Sequence, residues 1–358
     1  MEGNNISSYR VHPIEEDEKL NARVLEVKIN DTKIITPGKI VEKLKPEGEL
    51  YEYPVIFNAE LLEQNLTGSF GINELGKKKS GNRISSISNK PVGGLLNVML
   101  PTYMDKQITN RQLSKMESMQ YHNSDILVLP RWDGVLKYSE DLLGDCKKLN
   151  LRYIEEIRTL NHKMILGFLP LSLPLDPLSE LIDDYHNQDV VSFVVDYHTC
   201  ASKTKSDLIR DIQKKLIKLG IYDESFLYSI NTRRTSLVNK SFYPADDFLL
   251  FGHGIDIIGN LHLGGGNGTG PIIPIKRFDS SEYQYIKDTD GQQITSDVIR
   301  AENCASQYKE TRKLIAIIKE EGTSYEYVSK KEGVKPSLKK MMRDDQAGSN
   351  QRSFDDLF

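Results

Sequence analysis

Cysteine is scarce in this chain. Cys146, Cys200 and Cys304 are the only three; isolated and odd in number, they form neither a disulfide framework nor a metal cluster. Long apolar runs are missing as well. No stretch approaches the ~20 apolar residues that cross a bilayer, and the mean hydropathy of -0.45 describes a polar chain. An excess of positive charge is also absent. With 47 Lys+Arg against 51 Asp+Glu the net charge is -4, which excludes a uniformly basic nucleic-acid coat but leaves room for a local basic groove. The first 25 residues are acidic and polar rather than a basic, apolar leader. The expectation is a cytoplasmic protein with no membrane segment.

What is present is a succession of short, continuous apolar runs. At 358 residues the chain holds one large domain with extensions. After a polar arm (1–22), the segment ARVLEVKINDTKIITPGKI alternates apolar and polar residues about a turn at Asn30-Asp31 and reads as a β-hairpin outside the core. Eight runs follow, at 53–58, 94–100, 125–130, 163–169, 190–196, 225–231, 247–251 and 271–279. Unalternating runs suit parallel strands buried on both faces. Helical periodicity lies between several of them, at 110–120, 150–161 and 207–219, with Ser206-Asp207 as an N-cap region and Gly220 as a stop. Eight strands alternating with helices imply an α/β protein with a (β/α)8 barrel over 23–295; an open doubly wound sheet fits the same pattern. A helical segment (296–335) and a flexible tail (336–358) complete the chain.

Three stretches carry charge or glycine rather than periodicity. Residues 71–90 form a basic, serine-rich insertion with Lys77, Lys78 and Lys79, a solvated loop charge by charge and a phosphate contact as a cluster. Arg233, Arg234, Lys276 and Arg277 near strand ends are further phosphate candidates. The run GGGNGTG (264–270) lacks the G-K-[ST] ending of a P-loop and reads as a loop over the barrel mouth.

The most informative stretch is 247–288, in which LFGHG is followed by RFDSSEYQYIKDTDGQQIT. The FDS element, the tyrosine three residues after Ser280 and the K-D-x-x-G tail resemble the last barrel strands of the tRNA-guanine transglycosylase family, in its archaeal branch. The resemblance is firmest over 247–295, is supported by 112–133, and elsewhere is architectural. It implies a (β/α)8 barrel that exchanges guanine for a 7-deazaguanine base. Such an exchange is a double displacement at C1′: a carboxylate displaces guanine and holds the sugar covalently, and the incoming base then displaces the carboxylate. A second group protonates the leaving base and deprotonates the newcomer.

By position within FDS, Asp279 is the implied nucleophile; a carboxylate capping the following turn is the structural alternative. Asp196, at the end of the fifth run, is a candidate acid/base or reader of an exocyclic amine. Asp133 lies near the family's base-reading aspartate, but the spacing is two residues longer, so Arg131 competes for the place. Gly252, His253, Ser280 and Tyr283 are further base-binding candidates, with His253 equally readable as a histidine held in a tight turn. Asn58 and Asn231 also end strands, where asparagine is usually a turn former.

Two family features are missing. The general-base motif of aspartate, serine, two glycines and phenylalanine has no counterpart: the second run continues VMLPTYMDKQIT, and Asp105 is the only nearby carboxylate. The family's cysteine and histidine zinc set is also absent, so no metal or other cofactor is expected.

The tail offers a separate signal. Gln351, Phe354, Leu357 and Phe358 are spaced as in a sliding-clamp-binding peptide, where a one-turn helix puts the apolar side chains in a pocket. A clamp ligand works on DNA, so the expectation is a divergent, zinc-less member of the DNA-modifying branch. Its partners would be DNA, a 7-deazaguanine base and a sliding clamp, with a homodimer left open. A tRNA transglycosylase and a catalytically silent nucleic-acid-binding barrel are the alternatives.

Overall fold

A computed structural model describes residues 9–42, 44–45, 47–57, 62, 92–105, 107–132, 140–160, 163–233, 242–262, 276–287 and 295–343. The chain opens with β1 (Tyr9–Glu16), β2 (Arg23–Ile29) and β3 (Thr32–Ile35), joined as an antiparallel sheet. The expected turn is there: Asn30, at φ 52°, and Asp31 connect β2 to β3, and asparagine tolerates that left-handed backbone. The expected arm is corrected in part. Residues 9–16 pair along β2 because β2 is buried on both faces and has a free edge to fill.

Next come β4 (Gly38–Lys39), β5 (Leu50–Phe57), β6 (Leu96–Tyr103), α1 (Asn110–Asn123), β7 (Ile126–Val128) and β8 (Arg131–Trp132). They are followed by α2 (Glu140–Leu160), β9 (Met164–Pro170), α3 (Leu175–His186), β10 (Ser192–Asp196), α4 (Ser202–Lys218) and β11 (Leu227–Ile230). The last elements are β12 (Phe242–Pro244), β13 (Ile257–Ile258), β14 (Lys276–Asp279), β15 (Gln284–Lys287), α5 (Ser296–Glu321), α6 (Tyr325–Val328) and α7 (Leu338–Met341). None of these helices is long and apolar enough to cross a membrane.

The centre is a parallel sheet in the order β4-β13-β11-β10-β9-β7-β6-β5, with β8 also pairing with β6. The protein is therefore a mixed α/β fold on a parallel sheet. Beyond the last pair of β4, Val41 makes an isolated parallel bridge to Tyr51 of β5, and Val41 N–H donates to the Leu50 carbonyl at 3.0 Å. The two end strands of the sheet therefore touch.

Six of the eight expected runs become strands of this sheet. The other two do not. Residues 247–251 turn rather than extend: Leu249–Gly252 is a 3₁₀ turn, and Gly254 at φ 88° lets the chain reverse into β13. The run is apolar because Phe248 and Phe251 pack on Phe278 and Tyr283, not because it lies in a sheet. The described end of the eighth run, β14, instead pairs antiparallel with β15 in a small sheet with β12. The nearby turn at Ser280–Tyr283 makes this local hairpin the shorter route.

Among the helices, α1 carries a capping box in which Thr109 and Gln112 satisfy each other's backbone N–H. Helix α4 starts at Ser202, one turn before the expected cap. Helix α3 is additional to the periodic segments read from the sequence.

Candidate functional site

Register decides which side chains meet. In a parallel ladder paired residues project to the same side, and the side alternates along each strand. Glu52 pairs with Val98, Val98 with Ile126 and Ile126 with Met164; across the sheet Pro170 pairs with Asp196, Val194 with Tyr228 and Tyr228 with Ile257. Thr102, on the same side as Val98, pairs with Arg131. One face thus carries Glu52, Arg131, Asp196 and Tyr228.

The other face meets the helices. A Cβ on Gly167 would strike Phe193 and Tyr185 of α3, each at 2.7 Å. Trp132 donates to Asn150 of α2 at 2.7 Å, and Asn150 donates to the Tyr185 hydroxyl at 2.9 Å. Glu52, Arg131, Asp196 and Tyr228 therefore lie on the face turned away from α2 and α3. Solvent reaches that face at β5 and β6, where Pro54 is exposed and Ile56 and Thr102 are half-buried.

A chain of polar contacts links these groups at the carboxyl ends of the strands. Asp196 is 1% exposed, and its Oδ1 accepts from His198 N–H at 2.8 Å and from Asn231 Nδ2 at 3.0 Å. Its Oδ2 faces Arg131 at 3.4 Å. Asn231 Oδ1 accepts from His262 N–H at 2.9 Å, and His262 Nε2 stands 2.9 Å from Glu52 Oε1. The same Glu52 oxygen accepts from Asn260 N–H, and buried Lys39 donates to Asn260 Oδ1 at 2.6 Å.

Backbone strain gathers here: His198, Thr199 and Asn231 have φ of 45°, 63° and 58°, a conformation non-glycine residues adopt only where their surroundings enforce it. Buried hydrogen-bonding capacity is also left over: Glu52 Oε2, Tyr228 Oη and Thr232 Oγ1 have no partner among the described residues. Buried polar groups are rarely left so, which marks this end of the sheet as a place where a polar ligand can be held.

The comparison with known proteins gives no name. Neither a family model nor a curated protein sequence matches the chain. The argument rests on geometry.

That geometry splits the residues read from the sequence into separate groups. Asp196 and Arg131 meet, as described. Asp105 follows β6 and is half-buried. Asp279 lies elsewhere, in the small antiparallel sheet. Its Oδ1 accepts from Ser281 N–H at 2.9 Å and from Ser281 Oγ at 2.5 Å, and its Oδ2 accepts from Gln284 at 3.2 Å. Burial pushes the carboxyl up, but the hydrogen bonds from Ser281, Gln284 and the Glu282 backbone hold it below the usual carboxylate range.

Ser280 and Tyr283 belong to the same turn. Lys331 donates to the Ser280 carbonyl at 2.7 Å, and the Tyr283 hydroxyl donates to Glu310 at 2.7 Å. Ala245 N–H donates to the Tyr283 carbonyl at 2.9 Å, which ties the turn to the segment leading into β13, at the amino end of the sheet.

Gly252 and His253 lie in that segment too. A Cβ on Gly252 would strike Met341 of α7 at 2.1 Å, and His253 bridges to Asn21. The base-binding role read for these two is corrected: they pack the two chain ends together.

Among the basic candidates, Arg233 is exposed, Lys276 stands over the Tyr243 ring at 3.5 Å, and Arg277 pairs with Glu302 at 2.6 Å. Asn58, Lys77, Lys78, Lys79, Asp133, Arg234, the glycine-rich run and Gln351, Phe354, Leu357 and Phe358 lie outside the described residues. Among the described residues no group of three His, Cys, Asp or Glu side chains could hold a metal ion.

Lys39, Glu52, Asn260 and His262 were missed. A signal for Glu52 did exist: it is a single charge within the apolar strand LYEYPVIF. An ionisable group placed there needs a partner.

Proposed function

We propose that the protein exchanges a purine base in nucleic acid, DNA in preference to tRNA, at the carboxyl ends of a closed parallel barrel. Closure is supported by the Val41–Tyr51 bridge between the two end strands, which leaves a ring of eight parallel positions. The observation that carries the functional reading is the shared face of Glu52, Arg131, Asp196 and Tyr228. At the mouth of a (β/α)8 barrel, side chains from several strand ends converge on one ligand. Asp196 and Arg131 suit a guanine-like base: the carboxylate accepts from an exocyclic amine or ring N–H, and the guanidinium donates to a carbonyl or ring nitrogen. Held by His198 and Asn231, Asp196 is fixed in direction before the base arrives.

The resemblance of the FDSSEYQYIKD stretch supplies the reaction class, and the clamp-like spacing of Gln351, Phe354, Leu357 and Phe358 supplies the preference for DNA and a sliding clamp as partner. A paired guanine would have to leave the stack before reacting.

A binding barrel without turnover is the second reading. It is favoured by the Asp279 carboxylate, whose oxygens both serve the turn.

The test is incorporation of isotope-labelled guanine, and separately of a 7-deazaguanine, into single-stranded DNA, double-stranded DNA and tRNA. DNA is expected to take up label, and Asp196→Asn to slow uptake about 10²-fold or more. Label in tRNA alone would transfer the reading to tRNA. Tight binding with no uptake into any of the three would establish the binding barrel.

A further inference from the structure

We propose that Glu52 is the carboxylate that takes the sugar, with His262 carrying the proton, a role that rests on the base-exchange reading above. Covalent exchange at C1′ needs a carboxylate with one oxygen held and the other free to attack. Asp279 does not have that form, since Ser281 occupies one oxygen and Gln284 the other. Asp196 does not have it either, with Oδ1 accepting two hydrogen bonds and Oδ2 facing Arg131.

Glu52 does. Its Oε1 accepts from Asn260 N–H and stands 2.9 Å from His262 Nε2. Its Oε2 has no partner among the described residues. The position of that free oxygen is set by a glycine. A Cβ on Gly259 would lie 2.9 Å from Glu52 Oε2 and 2.9 Å from the Tyr228 ring, and 2.2 Å from the Ser229 carbonyl. The glycine keeps the Glu52 oxygen and the tyrosine side by side on the face shared with Asp196 and Arg131. The clamp behind it is rigid: Lys39, 4% exposed, donates to Asn260 and to the carbonyls of Ile258 and Gly259 at 3.3 and 3.1 Å.

The reaction balances on these groups. In the first half Glu52 Oε2 forms a bond to C1′ as the C1′–N9 bond breaks. The bonding pair leaves on guanine N9, which takes a proton from protonated His262. In the second half the incoming 7-deazaguanine gives its N9 proton to neutral His262, its N9 pair forms the bond to C1′, and the Glu52 oxygen departs with its electron pair. Both residues return to their starting forms.

The experiment is a peptide map of the trapped intermediate. Wild type and Glu52→Gln are incubated with a guanine-containing single-stranded oligodeoxynucleotide, quenched in acid denaturant, digested and analysed by mass. The expected result is a DNA adduct on the wild-type peptide that contains Glu52, no adduct in the variant, and base exchange slowed by at least about 10³-fold. Melting temperature and oligonucleotide binding of the variant should stay near wild type. An adduct on Asp279 or Asp196 would overturn the assignment of Glu52 and leave base exchange standing. No adduct and no exchange by wild type, on DNA or tRNA, would overturn base exchange, and this proposal with it. The wild-type map decides the matter even if the variant does not fold.

Discussion

His253 offered itself from the sequence as a pocket residue, and the fold gives it a different physical meaning. The imidazole is 1% exposed. Burial, reinforced by the charges of Arg210 and Lys340, pushes its pKa down to about 4. In the unfolded chain a histidine titrates near 6.5. Between those values the unfolded state binds a proton and the folded state does not, so stability rises with pH across that window. It is fully present above about 6.5 and is lost as pH falls toward 4. The shift is equivalent to roughly 3 kcal/mol. Denaturant unfolding at pH 4.5, 5.5 and 7.5 should show wild type losing most of that amount on acidification, while His253→Gln should lose much less. Equal slopes for the two proteins would mean that the imidazole is protonated in the folded state.

Among the elements, the joint between the amino-terminal sheet and the parallel sheet is the most exposed to a single change. Arg23, at the start of β2, meets Asp256, just before β13, through two bonds of 2.8 Å with both side chains buried. The guanidinium also donates to the carbonyls of Tyr222 and Ser225, and Asp256 accepts from Leu227 N–H at the start of β11. Removing one partner leaves a buried charge alone, at a cost of about 3–5 kcal/mol. Asp256→Ala should therefore lower the unfolding free energy by about that amount; a loss under about 1 kcal/mol would show that water replaces the missing partner. The same elements show what a sequence discloses. Six of the parallel strands are legible because burial on both faces makes them unbroken apolar runs. Strands β4 and β13 span two residues each, too few for any periodicity, and the run 247–251 is apolar for an aromatic cluster instead of a sheet. Asp196 and Arg131 were legible as polar residues at strand ends. Glu52 and His262 were not, since the face of β5 and the reach of the chain after β13 are fixed only by register across the sheet.

For the whole molecule, both chain ends seal the amino side of the sheet and leave its carboxyl side for ligand. Leu20 bridges to Met342, Asn21 to His253, and Arg343 pairs with Glu16. At the centre of this clasp Asp17 is fully buried. It accepts from Lys19 and Leu20 N–H at 3.0 and 2.9 Å, from Thr323 Oγ1 at 2.6 Å, and from Ser324 N–H and Oγ at 2.7 and 2.6 Å. The chain reaches it through Gly322, whose φ of 73° ends α5 and whose carbonyl accepts from Glu18 N–H at 3.1 Å. Truncating the carboxylate strands the buried N–H groups of Leu20 and Ser324, each costing about 1–3 kcal/mol. Asp17→Ala should therefore release the segment after α5 before the rest unfolds. Hydrogen exchange is expected to accelerate first over residues 322–343 and 17–22, while the carboxyl ends of β5, β10 and β11 keep their protection. Oligonucleotide binding, made at the opposite end of the sheet in the reading above, should survive. Uniform loss of protection across both ends would show instead that the clasp and the sheet unfold as one unit, with the carboxyl-side site depending on the termini for its shape.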